Sequence, residues 1–106
     1  MNNAPLMLTS TAPSGKIQTP LSCNGFQIFW EVVTSTTSIP ADPTGTTLAF
    51  AIELPGGTLI PFDVSPVEAN LYHIEQTACS GGVMIKITAS NVATSSVVKV
   101  YLNGLF

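Results

Sequence analysis

The single histidine is the residue from which most catalytic or metal-binding chemistry would have to start. His73 lies two residues before Glu75, so both fall on one face if this segment is a strand. Such a pair could act as an acid/base dyad, although a hydrogen-bonded surface pair is far commoner. A catalytic site needs a nucleophile and an orienting partner as well, and the chain has no Gly-x-Ser-x-Gly, phosphate-binding glycine loop or His-Glu-x-x-His motif. We therefore predict no catalytic residues and a protein that is not an enzyme.

The cysteines and acids do not form a recognisable metal site either. Cys23 and Cys79 are too few for structural zinc. A bridge between them would contribute about 4 kcal/mol, but with no export signal in view, two reduced and buried thiols are favoured. The acids that could supply oxygen to calcium match no known loop spacing: Asp42, Asp63, Glu68 and Glu75. The sequence predicts no metal and no cofactor.

Aromatic rings are candidates for stacking against a sugar. Trp30 is in phase with Ile28 and Val32, which favours a place in the core. Trp30 and Tyr101 nevertheless remain the candidates for ligand stacking. A carbohydrate- or receptor-binding β-sandwich module, of fibre, spike or adhesin type, is therefore the alternative function.

The charge content excludes some classes of partner. Only 8% of the 106 residues are charged, and they comprise six acids and three lysines, with no arginine. About 25% is usual. The lysines are scattered and the net charge is −3, which argues against nucleic-acid binding. No apolar run approaches the ~20 residues of a spanning helix, so no membrane partner is predicted. A chain that repels its own copies so weakly packs easily against other subunits.

The elements that must position these residues are short β-strands. Apolar and polar residues alternate through the chain between turn-forming residues, and no segment keeps a helical period. Phe26, Ile28, Trp30 and Val32 form one apolar face. Hairpin turns are expected at Asn24-Gly25 and around Pro55-Gly56-Gly57. Seven to eight such strands predict an all-β fold, an antiparallel β-sandwich or jelly roll.

The two ends of the chain are the predicted partner-binding segments. Residues 1–15 are polar and hold two prolines, and they are interpreted as an extended N-terminal arm preceding a single domain at 16–106. The arm's apolar cluster would contact a partner, as would an anchor at the C-terminus, where a terminal aromatic side chain is costly to expose. The predicted partner-binding residues are Leu6, Met7, Leu8, Leu105 and Phe106.

The stretch Val83-Met84-Ile85-Lys86-Ile87-Thr88-Ala89-Ser90-Asn91-Val92-Ala93-Thr94-Ser95-Ser96-Val97-Val98-Lys99-Val100-Tyr101-Leu102 resembles the closing hairpin of small β-sandwich virion proteins of tailed bacteriophages. The Ser/Thr-rich, charge-poor composition is also similar to capsid decoration, or cement, proteins. The resemblance covers about a fifth of the chain and carries no residue-level signature. It implies a non-enzymatic subunit on the capsid exterior, assembled in the host cytoplasm. Its implied partners are the major capsid or another virion protein and copies of itself, with a trimer favoured.

Overall fold

The computed structural model describes residues 5–34, 45–67, 72–77 and 82–105. They form eight strands: β1 (Leu6–Leu8), β2 (Ser14–Gln18), β3 (Gly25–Thr34), β4 (Thr47–Glu53), β5 (Leu59–Pro66), β6 (Tyr72–Thr77), β7 (Met84–Ser90) and β8 (Ser96–Leu105). Sheet A has the order β1-β8-β3-β6, and sheet B has the order β2-β7-β4-β5. Within these residues no helix has the length and apolar character that crossing a membrane requires.

The strands are connected as four nested antiparallel pairs. The innermost pair is the β4–β5 hairpin, around which β3–β6, β2–β7 and β1–β8 follow in turn. Nested pairs that are shared alternately between two sheets make a jelly roll. The predicted all-β sandwich or jelly roll is therefore confirmed.

The core lies between the two sheets and is built from the apolar faces that the alternation defines. Phe26, Ile28, Trp30 and Val32 of β3 are all buried, which confirms the predicted inner face. They meet the inner residues of sheet B, and the Trp30 and Phe50 ring centroids are 5.6 Å apart. The two faces therefore interlock through large side chains.

Two expected hairpins are instead connections between the sheets. β7 pairs with β2 and β4, whereas β8 pairs with β1 and β3, so residues 83–102 do not form the closing hairpin on which the phage resemblance was based. Likewise, Asn24-Gly25 is no hairpin turn, because Gly25 begins β3 in sheet A while β2 belongs to sheet B. Turn residues indicate a reversal of the chain, but they do not decide whether it returns to the same sheet.

The described part of the N-terminal segment, from residue 5, belongs to the sandwich instead of extending from it as an arm. β1 pairs with β8 over Leu6–Leu8, and β2 already begins at Ser14. Leu8 is fully buried in the core, and Leu6 packs against that core. The predicted domain boundary between residues 15 and 16 is therefore wrong for the described part of this segment. The physical reason is that burying Leu8 at the edge of sheet A removes its apolar surface from water.

Candidate interaction surface

Exposed apolar side chains are concentrated on the β4–β5 hairpin. Leu54, Leu59, Ile60 and Val64 are between 40% and 66% exposed, and they make up four of the six large exposed hydrophobics in the described residues. We call these four residues the hairpin strip. Leu59 and Val64 lie on the outer face of the sheet, opposite Glu53 and Ala49, whereas Ile60 lies opposite Ile52 and faces the other side. Single exposed leucines are ordinary on a protein surface, but apolar residues that share one face are typical of an interaction site.

Two residues of the hairpin strip, Leu59 and Val64, border a groove on the outer face of sheet B. Ala49 and Ala51 of β4 face outward and are too small to fill the space between their neighbouring strands. The groove has a volume of about 210 Å³. Its walls come from β5 and β7: Leu59, Pro61, Asp63, Val64, Lys86 and Thr88. A small-residue floor beside a projecting Val64 gives this face both a depression and a protrusion.

β5 forms the edge of sheet B, but it is poorly suited to pairing with another strand. Pro61 and Pro66 lack the N–H group that a partner strand would need, and proline in a sheet is confined to positions where its nitrogen faces away from the neighbouring strand. The register with β4 also shifts at Phe50/Ala51, which marks a bulge. These features block strand addition at this edge, so a partner would have to contact the side chains.

The groove is lined by two charged side chains, Lys86 and Asp63. Lys16 Nζ lies 2.9 Å from Glu53 Oε2, which is the one ion pair among the described residues. Lys86 therefore has no carboxylate within ion-pair distance in that part of the chain. Asp63 Oδ1 accepts a hydrogen bond from the Val64 N–H over 2.9 Å. The groove thus carries one positive and one negative group beside apolar side chains.

A second apolar position lies at the end of the sandwich where β8 finishes. Leu21 is 85% exposed in the connection between β2 and β3. The backbone N–H of Asn24 donates to the Leu105 carbonyl oxygen over 2.7 Å, so this connection is held against the C-terminal strand. Leu105 is half-buried, and Phe106 lies outside the described residues. This end therefore presents an exposed leucine on a connection that is hydrogen-bonded to the C-terminal strand.

The outer face of sheet A is different in character, being aromatic and polar. The register aligns Tyr101 of β8 with Phe29 of β3, and in the next row Asn103 Nδ2 donates to Gln27 Oε1 over 3.2 Å. Tyr101 and Phe29 are half-buried. The Tyr101 hydroxyl donates to Glu31 Oε1 over 3.2 Å. An aromatic pair flanked by amide and carboxylate groups has the composition of a sugar-stacking platform.

The carboxylate beside Tyr101 also changes its titration. Burial raises the pKa of the Tyr101 phenol above its ordinary value of 10.0. The negative charge of Glu31 raises this pKa further, as does the hydrogen bond to Glu31, because both favour the protonated phenol. Tyr101 is therefore a neutral hydrogen-bond donor throughout the physiological range.

Several predicted site residues occupy other roles. Trp30 is fully buried between the sheets, so the suggestion that it stacks against a ligand is wrong: its ring faces are covered by core residues such as Phe50. Leu8 is also fully buried and is not available to a partner, whereas Met7 is 49% exposed. Tyr101 lies on the outer face, where its role in stacking stays a prediction.

The candidate histidine and cysteines are only partly described. His73 falls in β6 opposite Phe29, and Glu75 falls opposite Gln27. Their side chains lie outside the described residues. Cys23 is buried and forms no disulfide within the described part of the chain, and Cys79 lies outside it. Among the described residues no three His, Cys, Asp or Glu side chains are grouped to hold a metal ion.

Sequence reasoning missed the hairpin strip. The signal that could have found it is a run of leucine, isoleucine and valine interrupted by Pro61 and Pro66, since proline within a β-rich segment marks an edge strand. The groove could not have been found in this way. Its residues come from β4, β5 and β7, which only the sheet order brings together.

Comparisons with known proteins do not indicate what this surface binds. No protein-family model matches the chain, and no curated protein matches it. Among solved structures, the chain is similar to the Drosophila NLP core, whose structure is described as giving insight into pentamer formation and histone binding. The two share 11% identity over 98% of this chain and 97% of that chain, with a TM-score of 0.42. We draw no functional argument from this likeness.

Proposed function

We propose that this protein is a non-enzymatic structural subunit of a virion, a decoration or cement protein that packs on the capsid exterior and against copies of itself. The observation that carries the proposal is the group of large apolar side chains, 40% to 85% exposed, on a chain with only 8% charged residues. Leaving such side chains in water is unfavourable by about 25 cal/mol for each Å² of apolar surface. Contact with other subunits removes that cost.

The composition of the chain supports close packing of many copies. Three lysines and six acids give a net charge of −3, so neighbouring copies repel one another only weakly. The jelly roll is an architecture that viral capsid and lectin domains both use. The same fold hosts many functions, so the proposal depends on the surface and not on the topology.

The exposed leucine near the C-terminus is the proposed contact with the shell. Leu21 is 85% exposed on the connection between β2 and β3, and Asn24 of the same connection is hydrogen-bonded to Leu105 at the end of β8. An apolar side chain with 85% of its surface in water has little role in the isolated fold. Seated in a pocket of the shell protein, it would act as an anchor, as a few well-buried residues commonly do at interfaces.

Cosedimentation with virus particles tests the assembly role. Virions purified from the source of this sequence should contain the chain, and virions stripped of it should take up the purified protein. We expect Leu21→Lys to reduce this uptake by about tenfold or more, because a charge would replace a buried apolar anchor. Thr94→Lys, at an exposed position in the connection between β7 and β8, is the control and should bind as the unaltered protein does.

Two results would contradict this role. One is that the chain stays in the supernatant whether or not stripped virions are present. The other is that Leu21→Lys and Thr94→Lys bind equally well, which would remove Leu21 from the contact.

Glycan binding is the second candidate function, and the outer face of sheet A favours it. Tyr101 and Phe29 lie opposite each other there, beside the Asn103–Gln27 amide pair. A glycan array probed with the labelled chain should then give binding that Tyr101→Ala abolishes and Thr94→Ala, at an exposed position between β7 and β8, leaves unchanged. Absence of binding across the array, or equal binding by Tyr101→Ala, would dismiss this function.

A further inference from the structure

We propose that the outer face of sheet B at the β4–β5 hairpin is an interface between two copies of this chain, related by a twofold axis. This inference names one partner for the assembly role proposed above and rests on it. The surface concerned is the groove over Ala49 and Ala51 together with Leu59 and Val64, which line it.

The shape of this face is self-complementary. Val64 is 66% exposed and is paired in register with Ala49, so a protruding side chain lies directly beside the small-residue floor. In a twofold interface, residue i of one copy contacts residue j of the other, and j contacts i. Val64 of each copy would therefore fill the depression over Ala49 and Ala51 of the other.

The charges of this face are self-complementary too. Lys86 and Asp63 line the same groove, and Lys86 has no ion-pair partner among the described residues. The other lysine in this region, Lys16, is already held by Glu53 at 2.9 Å. A twofold operation places Lys86 of each copy near Asp63 of the other, so both groups gain an opposite charge. An unrelated partner would need an acidic group opposite Lys86 and a basic group opposite Asp63.

The edge geometry explains why the contact is between faces and not between strands. Pro61, Pro66 and the bulge in β5 prevent a second copy from adding to the sheet by backbone hydrogen bonds. The two copies would instead stack their outer faces about 10 Å apart, as packed sheets do.

The area that each copy can bury at this face determines how tightly the dimer is expected to associate. β5 has eight residues, and a patch of that length across β5, β4 and β7 covers on the order of 400 Å² per copy, from strand rise and spacing. A stable interface usually buries about 800 Å² per partner. We therefore expect a weak dimer in dilute solution, with a dissociation constant in the micromolar range, which would strengthen where copies are concentrated on a shell. A twofold contact also differs from the trimer that the phage resemblance implies.

Sedimentation equilibrium of the purified chain over a wide concentration range is the first test. The unaltered protein should change from monomer to dimer with increasing concentration. Val64→Lys should remain monomeric, whereas Thr94→Lys and Leu21→Lys should dimerise normally. A monomer at every concentration, or a dimer that Val64→Lys leaves intact, would overturn the proposal.

Charge reversal distinguishes pairing between copies from pairing within one copy. Lys86→Glu alone and Asp63→Lys alone each place like charges together across the twofold axis, and each should weaken the dimer by about tenfold or more. When the two single variants are mixed, the heterodimer has an opposite pair at both positions. The mixture should therefore associate more tightly than either variant by itself. If mixing gives no gain, Lys86 and Asp63 do not meet across an interface.

The assembly role and this inference fail separately. Fluorescence of Trp30, which is buried in the core, verifies that each variant is folded. Virion uptake that is sensitive to Leu21→Lys without a concentration-dependent dimer would overturn the interface and leave the assembly role standing. A dimer sensitive to Val64→Lys in a protein that never binds virions would support the interface and refute the capsid role.

Discussion

Truncation of Leu8 tests whether the N-terminal segment is part of the folded domain or an arm reserved for a partner. Leu8 pairs in register with Val98, which in turn pairs with Val32 of β3, and all three are buried. Replacing a fully buried leucine by alanine costs about 2–5 kcal/mol. Because β1 is only three residues long and lies at the edge of sheet A, the surroundings can relax partly, and we expect Leu8→Ala to cost about 3 kcal/mol.

That loss is large enough to measure directly. For a domain of this size it corresponds to a fall in Tm of roughly 12 °C. Urea unfolding followed by the fluorescence of Trp30, the single tryptophan, gives the free energy of unfolding. Met7→Ala, one position away and 49% exposed, should change it by less than about 0.5 kcal/mol. Equal stability of the two variants would refute the placement of β1 in the core and restore the arm.

Two further outcomes follow from other parts of the structure. Because the pKa of Tyr101 is raised in the folded state, its contribution to stability is fully present below pH 10.0 and is lost as the pH rises through the folded-state pKa. Glu31→Gln removes the nearby negative charge, so the tyrosinate absorbance of the folded protein should appear at lower pH. An unchanged titration would contradict the Tyr101–Glu31 contact. Gly104→Ala should lower the free energy of unfolding by about 1–3 kcal/mol in urea, because its Cβ would lie 2.7 Å from Cγ of the rigid Pro20 ring; a neutral effect would show that this connection moves freely.

Alternation along the chain was sufficient to predict the strands and much of the core. Phe26, Ile28 and Trp30 were assigned to one face by their spacing, and all are fully buried. The β4–β5 hairpin was also predicted, because Pro55-Gly56-Gly57 supplies a turn between two β-rich runs; the φ of Gly57 is 90°, a conformation that favours glycine. These features depend on neighbours in sequence, which is why the sequence reveals them.

The candidate surface depended on information of another kind. Val64, Ala49 and Lys86 lie on three strands from different parts of the chain, and only the order β7-β4-β5 makes them neighbours. Leu8 shows the same limit, since the sequence placed it in an arm but the pairing of β1 with β8 enclosed it in the core. Exposure is decided by what covers a residue, and that is not a local property.

By itself the amino-acid sequence determined the fold class, the inward faces of the principal strands and the scarcity of charge. The tertiary structure alone decided that β7 and β8 enter different sheets, that Leu8 closes the core and that β5 forms a proline-blunted edge beside the groove. The physical reason is that a period of two residues assigns side chains to faces without choosing partners for the strand. The choice of partners is made when the two apolar faces pack together and every backbone group in the sheets must find its hydrogen bond.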